Sequence, residues 1–219
     1  MNAHKKFAVI LSGSGVFDGS EIHEAVMTLY AIALNNCSYQ VFAPDMPQYH
    51  VINHTNGSVM NETRNVLVES ARISRGTIKP LSDFNAEFYD ALIFPGGYGA
   101  AKNLSTWAFD NENCTVIDEV SRAIKEMHAL HKPIGALCIS PVLLAKVLGN
   151  VTVTIGKDSS TAKAIENIGA KHQQTGHAQV VVDERNMLFT TPCYMLDATI
   201  VEIADGAKAI ITEMLKWVR

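Results

Sequence analysis

The chain has 219 residues, 47% of them hydrophobic and 18% charged, which is enough apolar side chain to build one sizeable core. A formal net charge of -4 gives no long-range attraction to nucleic acid phosphates or to an anionic membrane surface, so both are excluded as partners. No apolar run approaches the ~18 residues of a membrane span, and Met1 to Lys6 lacks the basic-then-apolar layout of a secretory signal, so the expected compartment is the cytoplasm.

Phe7 to Leu11 is a short apolar run that reads as a buried strand, followed by a glycine-rich turn from Gly13 to Gly19 and a helical pattern from Ile22 to Leu34. Tyr39 to Ala43 is the next strand, so the chain opens on a β-α-β unit. Met46 to Thr63, rich in His, Asn and Pro, is the least regular stretch and reads either as an active-site flap or as a surface loop. Helical spacing resumes over Asn61 to Arg75, where Gly76 supplies a stop. Tyr89 to Phe94 is a strand halted by Pro95-Gly96-Gly97, and Thr115 to Leu130 is an amphipathic helix with Val116, Val120, Ile124 and Met127 on one stripe.

Pro133 to Pro141 is a further apolar strand ending in a sharp turn that carries Cys138, with a helix pattern directly after it. Val151 to Ile155, Gln179 to Val182 and Met187 to Thr190 are β-rich, the last two joined by the turn residues Asp183 to Asn186, and Ala198 to Val218 closes the chain as a long helix. Strands alternating with helices predict an α/β fold: one domain over 1–219, a mostly parallel central sheet, helices on both faces, and a ligand site at the carboxyl edge of the strands.

Cys37, Cys114, Cys138 and Cys193 show no paired spacing, so they read as reduced thiols, and the first, second and fourth as small semi-buried hydrophobes. Cys138 differs because a thiol at a strand-to-helix elbow faces the positive end of the helix, which lowers its pKa and makes it a nucleophile. The Gly13 to Glu21 turn and the Pro95-Gly96-Gly97 turn also sit at strand ends. If the three strands are neighbours, Glu21 reaches the sulfur as proton acceptor and the N–H groups of Gly97 and Ile139 form an oxyanion hole.

Pro95-Gly96-Gly97-Tyr98-Gly99-Ala100-Ala101-Lys102-Asn103-Leu104, the Cys138 elbow, Gly19 to Glu24, Asn65 to Leu67 with Glu69 to Arg72, and Thr190 to Pro192 with Tyr194-Met195 together resemble the ThiJ/PfpI superfamily. Within it, the chain is similar to the ElbB-like branch of class I glutamine amidotransferase-like proteins, linked by name to isoprenoid biosynthesis. The resemblance implies a flavodoxin-like three-layer sandwich, usually a homodimer. It also implies a cofactor-independent glyoxalase activity that converts glyoxal to glycolate, with a deglycase variant of the same chemistry, using neither metal nor glutathione. Carried over, Cys138 is the nucleophile, Glu21 the proton shuttle, Gly97 and Ile139 the oxyanion donors, and Gly96 and Asn103 further substrate-binding positions. His54, in the loop that follows a strand end, is the one histidine placed to cover the pocket.

The chain departs from the hydrolytic members. Ile139 stands where the peptidase branch has a histidine, and Thr190 to Asp197 contains no histidine to complete a glutaminase triad, so peptidase and glutaminase activity are not expected. The pairs His50/His54 and His128/His131 offer no third ligand, and no metal is expected. Gly13 to Gly19 resembles a dinucleotide fingerprint, but Asp18 and Glu21 would repel a pyrophosphate there. A non-enzymatic redox or stress sensor built on Cys138, and an amidotransferase-like accessory protein of isoprenoid metabolism, are the alternatives.

Overall fold

The computed structural model describes residues 4–218, so Met1 to Ala3 of the amino-terminal stretch and Arg219 lie outside the described residues. In chain order, Lys6–Ile10 (β1) leads through Ile22–Leu34 (α1) to Ser38–Ala43 (β2), a small antiparallel ribbon of Ile52–Asn53 (β3) and Ser58–Val59 (β4), then Val66–Ile73 (α2) and Ile78–Pro80 (β5). Ala91–Phe94 (β6) precedes Tyr98–Lys102 (α3), Trp107–Asp110 (α4) and Asp118–Ala129 (α5), and Ile134–Leu137 (β7) precedes Pro141–Leu148 (α6). Thr152–Val153 (β8), Ser159–Asn167 (α7), Lys171–His172 (β9), Val181–Asp183 (β10), Leu188–Thr191 (β11) and Ile200–Leu215 (α8) complete the chain.

Seven strands form one sheet in the order β10-β11-β7-β6-β1-β2-β5, parallel throughout except for the β10–β11 hairpin. From β1 the chain runs outward through β2 to the β5 edge, then returns to the other side of β1 with β6 and β7. The order reverses between β1 and β6, and that reversal opens a crevice above their carboxyl ends.

Both faces of the sheet are covered, which is why its strands read as unbroken apolar runs rather than as alternating ones. Ala8 and Ile10 of β1 pack with Phe94, Ile134 and the inner sides of α5 and α6, while Phe7, Val9 and Leu11 turn the other way onto α1 and α8. The three-layer α/β sandwich expected from the sequence is the architecture observed.

Local chemistry moved several boundaries. Asn65 caps α2 by accepting the Val68 N–H at 3.0 Å, so the helix begins at Val66 rather than at Asn61. Thr199 and Glu202 form a capping box that starts α8 at Ile200. Strand β5 carries no sequence signal because it is three residues ending in proline, which an edge strand tolerates. Helix α7 was equally silent: its Ser-Ser-Thr start is polar, and only Ala164 and Ile165 are buried.

Candidate active site at the sheet's carboxyl edge

The turns that follow β1, β6 and β7 meet above the strand reversal, because those three strands are neighbours. Main-chain bonds stitch them together: Glu21 N–H donates to Gly96 O at 2.9 Å, Gly99 N–H to Gly19 O at 2.8 Å, and Tyr98 N–H to Val16 O at 2.8 Å. The Ser140 hydroxyl binds Pro95 O at 2.7 Å and ties the elbow to the β6 turn. Gly97 has φ of 101°, where a side chain is strained, and a Cβ there would strike the main chain of Gly19 to Glu21.

Cys138 sits at φ 58°, a left-handed conformation costly for a non-glycine residue and typical of a nucleophile elbow. The backbone N–H groups of Gly97 and Ile139, the two donors expected from the sequence, favour its thiolate, and the Glu24 carboxyl stands beside the sulfur: a Cβ on Gly96 would lie 2.5 Å from Glu24 Oε2 and 3.0 Å from Cys138 Sγ. Glu24 is fully buried, one oxygen accepting the Gly96 N–H at 2.9 Å and the other the Tyr194 N–H at 3.1 Å.

The acid at the sulfur is therefore Glu24, which corrects the expectation for Glu21. Glu21 is the N-cap of α1, and its side chain accepts the Glu24 N–H at 2.7 Å. One turn further on, α1 delivers Glu24 on the stripe that also buries Thr28, Ala31 and Ile32. That stripe is the signal that identifies it: a lone carboxylate among small and apolar residues on the inner face of a helix.

Burial dominates the electrostatics. It pushes the Glu24 carboxyl up to about 8, against the downward pull of the Tyr194 N–H. It also pushes the Cys138 thiol well above its ordinary value, aided by the Glu24 charge and opposed by the two backbone donors. The lowered thiol pKa expected from the helix start is not what the structure gives, because a dry site outweighs the helix end.

The other expected positions divide. The Gly96 N–H is spent on Glu24, and a Cβ at residue 96 would collide with the Cys138 and Glu24 side chains, so Gly96 makes room for the pair. Asn103 is a buried brace: its Nδ2 donates to Ser12 O and Asp18 O, both at 2.9 Å, and its Oδ1 accepts the Tyr49 N–H at 2.9 Å. His54 does not line the pocket. Its ring is held between Ile52 O and the Phe17 N–H, beside the buried Asp18. The Met46 to Thr63 segment forms the β3–β4 ribbon around it.

A cavity of about 530 Å³ opens onto Cys138, walled by Tyr98, Trp107 and Met195 on its apolar sides and by Asn111, Asp158 and Thr161 on a polar one. Sequence reasoning missed the outer wall, α4 and the start of α7, because neither had been read as an element. Among the described residues that line the cavity there is no Lys, Arg or His. Asp158 caps α7 through the Thr161 N–H at 2.8 Å, and its bonds to the Thr161 and Ser160 side of the helix hold its carboxyl below the usual range. All four cysteines are free.

A model of the DJ-1/PfpI family matches residues 15–197. The ES1 protein homolog, mitochondrial, of Rattus norvegicus is 46% identical over 96% of this chain and 83% of its own length. Glutamine amidotransferase-like class 1 domain-containing protein 3, mitochondrial, of Homo sapiens is 47% identical over 96% of this chain and 82% of its own. Among solved structures, an isoprenoid biosynthesis protein with amidotransferase-like domain from Ehrlichia chaffeensis superposes with a TM-score of 0.92 at 36% identity, covering 98% of this chain and 100% of that one. Drosophila melanogaster DJ-1beta, at 15% identity and a TM-score of 0.58 over 99% of this chain and 91% of its own, shares the fold.

Proposed function

The chain belongs to the DJ-1/PfpI family, and from that premise we propose that it is a cofactor-independent glyoxalase that turns glyoxal, or a similar small α-oxoaldehyde, into a hydroxy acid. One observation carries the reading: a thiol backed by a buried acid with a raised pKa and flanked by the N–H groups of Gly97 and Ile139 opens onto a cavity whose lining, among the described residues, offers no imidazole and no cation. A cavity without cationic groups suits an uncharged electrophile better than a carboxylate or phosphate.

The Cys138 sulfur attacks one aldehyde carbon, the thiol proton passes to Glu24, and the carbonyl oxygen develops charge beside the N–H groups of Gly97 and Ile139. Removal of the proton from that carbon and its return to the neighbouring carbon convert the hemithioacetal into a thioester. One carbon is thereby oxidised and the other reduced, with no external electron acceptor. Water then cleaves the S–C bond and releases glycolate and the free thiol. Glu24 serves each proton transfer in turn, because its pKa lies close to neutrality.

Peptidase and glutaminase activity remain outside this proposal, since no histidine lines the cavity to protonate a leaving amine. Four free thiols suit a reducing compartment, the cytoplasm of the sequence reading among them. A homodimer belongs to the proposal as well: Ile22, Val26, Tyr30 and Leu34 form one exposed apolar stripe along α1, the helix that carries Glu24.

The test is incubation of the purified protein with glyoxal, without added thiol or metal, and measurement of glycolate. Turnover lost in Cys138→Ala is expected. A rate unchanged by that substitution would refute the assignment.

A further inference from the structure

Tyr194 joins the two parts of the site that the mechanism above leaves unconnected. Its backbone N–H holds Glu24, its side chain lines the cavity, and its hydroxyl is 2.8 Å from Nδ1 of His23. His23 is half exposed on the first turn of α1, and its Nδ1 also lies 3.9 Å from the Glu21 carboxylate. Partial burial, then the Glu21 and Glu24 carboxyls, push the Tyr194 phenol up, so it is a proton donor at neutral pH.

Glu24, by contrast, is sealed: no part of it reaches solvent. Once it has taken the thiol proton, the charge growing on the substrate oxygen still needs a proton from elsewhere. An imidazole is absent from the cavity lining, yet one stands a single phenol away from it.

We propose that Tyr194 is a second catalytic acid of this site, charged from bulk water through His23, an inference that rests on the glyoxalase reading for its substrate. In the addition step the S–C bond forms and the C=O π pair moves to oxygen. That oxygen takes the Tyr194 proton, His23 returns a proton from Nδ1 to the phenol, and solvent reprotonates the imidazole. The thiol proton taken by Glu24 then goes to the neighbouring carbonyl oxygen as the same carboxyl takes the C–H proton, so each proton has one donor and one acceptor and Glu24 stays available for the later steps.

The test compares wild type, Tyr194→Phe and His23→Ala in two assays. The first is glycolate formation. The second is the rate at which glyoxal protects Cys138 from iodoacetamide, read by peptide mass, which reports the addition step without turnover. Tyr194→Phe keeps the ring and the amide bond to Glu24, and removing a general acid is expected to slow addition ~10- to 100-fold while leaving the extent of protection at equilibrium unchanged. His23→Ala is expected to slow it similarly and to recover as free imidazole is added, which a merely structural role would not produce.

Equal rates in wild type and Tyr194→Phe, or a His23→Ala defect indifferent to imidazole, would overturn the relay. If wild type forms the adduct but no glycolate, the glyoxalase reading falls while the protection rates still decide the relay. If wild type forms no adduct at all, both fall.

Discussion

Glu24 and Cys138 come from distant stretches of the chain, one on the first turn of α1 and the other on the elbow after β7, and meet side by side in a space from which Glu24 is wholly shielded from solvent. Each partner depends on main-chain donors of other loops, Gly96 and Tyr194 for the acid, Gly97 and Ile139 for the sulfur. Several consequences can be measured.

Glu24→Gln removes the proton shuttle at nearly constant volume and is expected to lower kcat by roughly 100-fold or more. It also has a signature in stability. With a folded pKa of about 8 against 4.5 unfolded, Glu24 binds its proton more tightly in the folded protein, so its contribution is most favourable below 4.5 and is lost as pH rises through about 8. Urea unfolding of wild type should therefore weaken between pH 5.5 and 8.5, and Glu24→Gln should flatten that slope.

Gly96→Ala places a methyl group against the Cys138 and Glu24 side chains. We expect a loss of about 1–3 kcal/mol of stability, the usual cost of overpacking a rigid site. Turnover should vanish even where the variant remains folded. Thermal unfolding and the glycolate assay together check this; a fully active, fully stable variant would contradict the described geometry.

Asn103→Ala deletes a brace and leaves two buried carbonyls, Ser12 O and Asp18 O, and the part-buried Tyr49 N–H without this partner. Unfolding in denaturant should show a loss on the order of 2–4 kcal/mol. If Asn103 touched substrate instead, the dominant effect would be a raised KM in a protein of normal stability.

Val26→Asp puts a charge in the middle of the exposed α1 stripe. In a homodimer joined there, sedimentation should show dissociation to monomers, with little change in the monomer's own fold because the position faces outward. A dimer that survives the substitution is joined elsewhere.

The sheet, the three converging turns and the elbow cysteine were legible because each leaves a local mark: an apolar run, a glycine cluster, or a strand that stops at Cys138 and Pro141. The acid was misplaced by three residues. Glu21 and Glu24 look alike in sequence, and only the direction in which α1 presents its buried stripe separates a cap from a core carboxyl. Tyr194 had surfaced as part of a family pattern, but nothing local says that its amide meets Glu24 from 170 positions away. Asn103 was offered as a substrate-binding position by the family resemblance, whereas here its amide donors and carbonyl oxygen bind main chain of its own fold. The sign of the Cys138 shift was equally hidden, since it depends on how dry the assembled site is.

The cavity has two walls of different provenance. The inner one, from which the chemistry comes, is woven from the turns after β1, β6 and β7, and almost any alteration there disturbs a neighbour's hydrogen bond. The outer one, where Trp107, Asn111 and Asp158 stand, belongs to α4, the residues just after it, and the cap of α7, and contributes no donor to the sulfur. The outer wall and the reacting groups are thus carried on separate stretches of chain, and under the proposed function editing the outer wall should change which aldehydes are admitted while the reacting groups stay where they are.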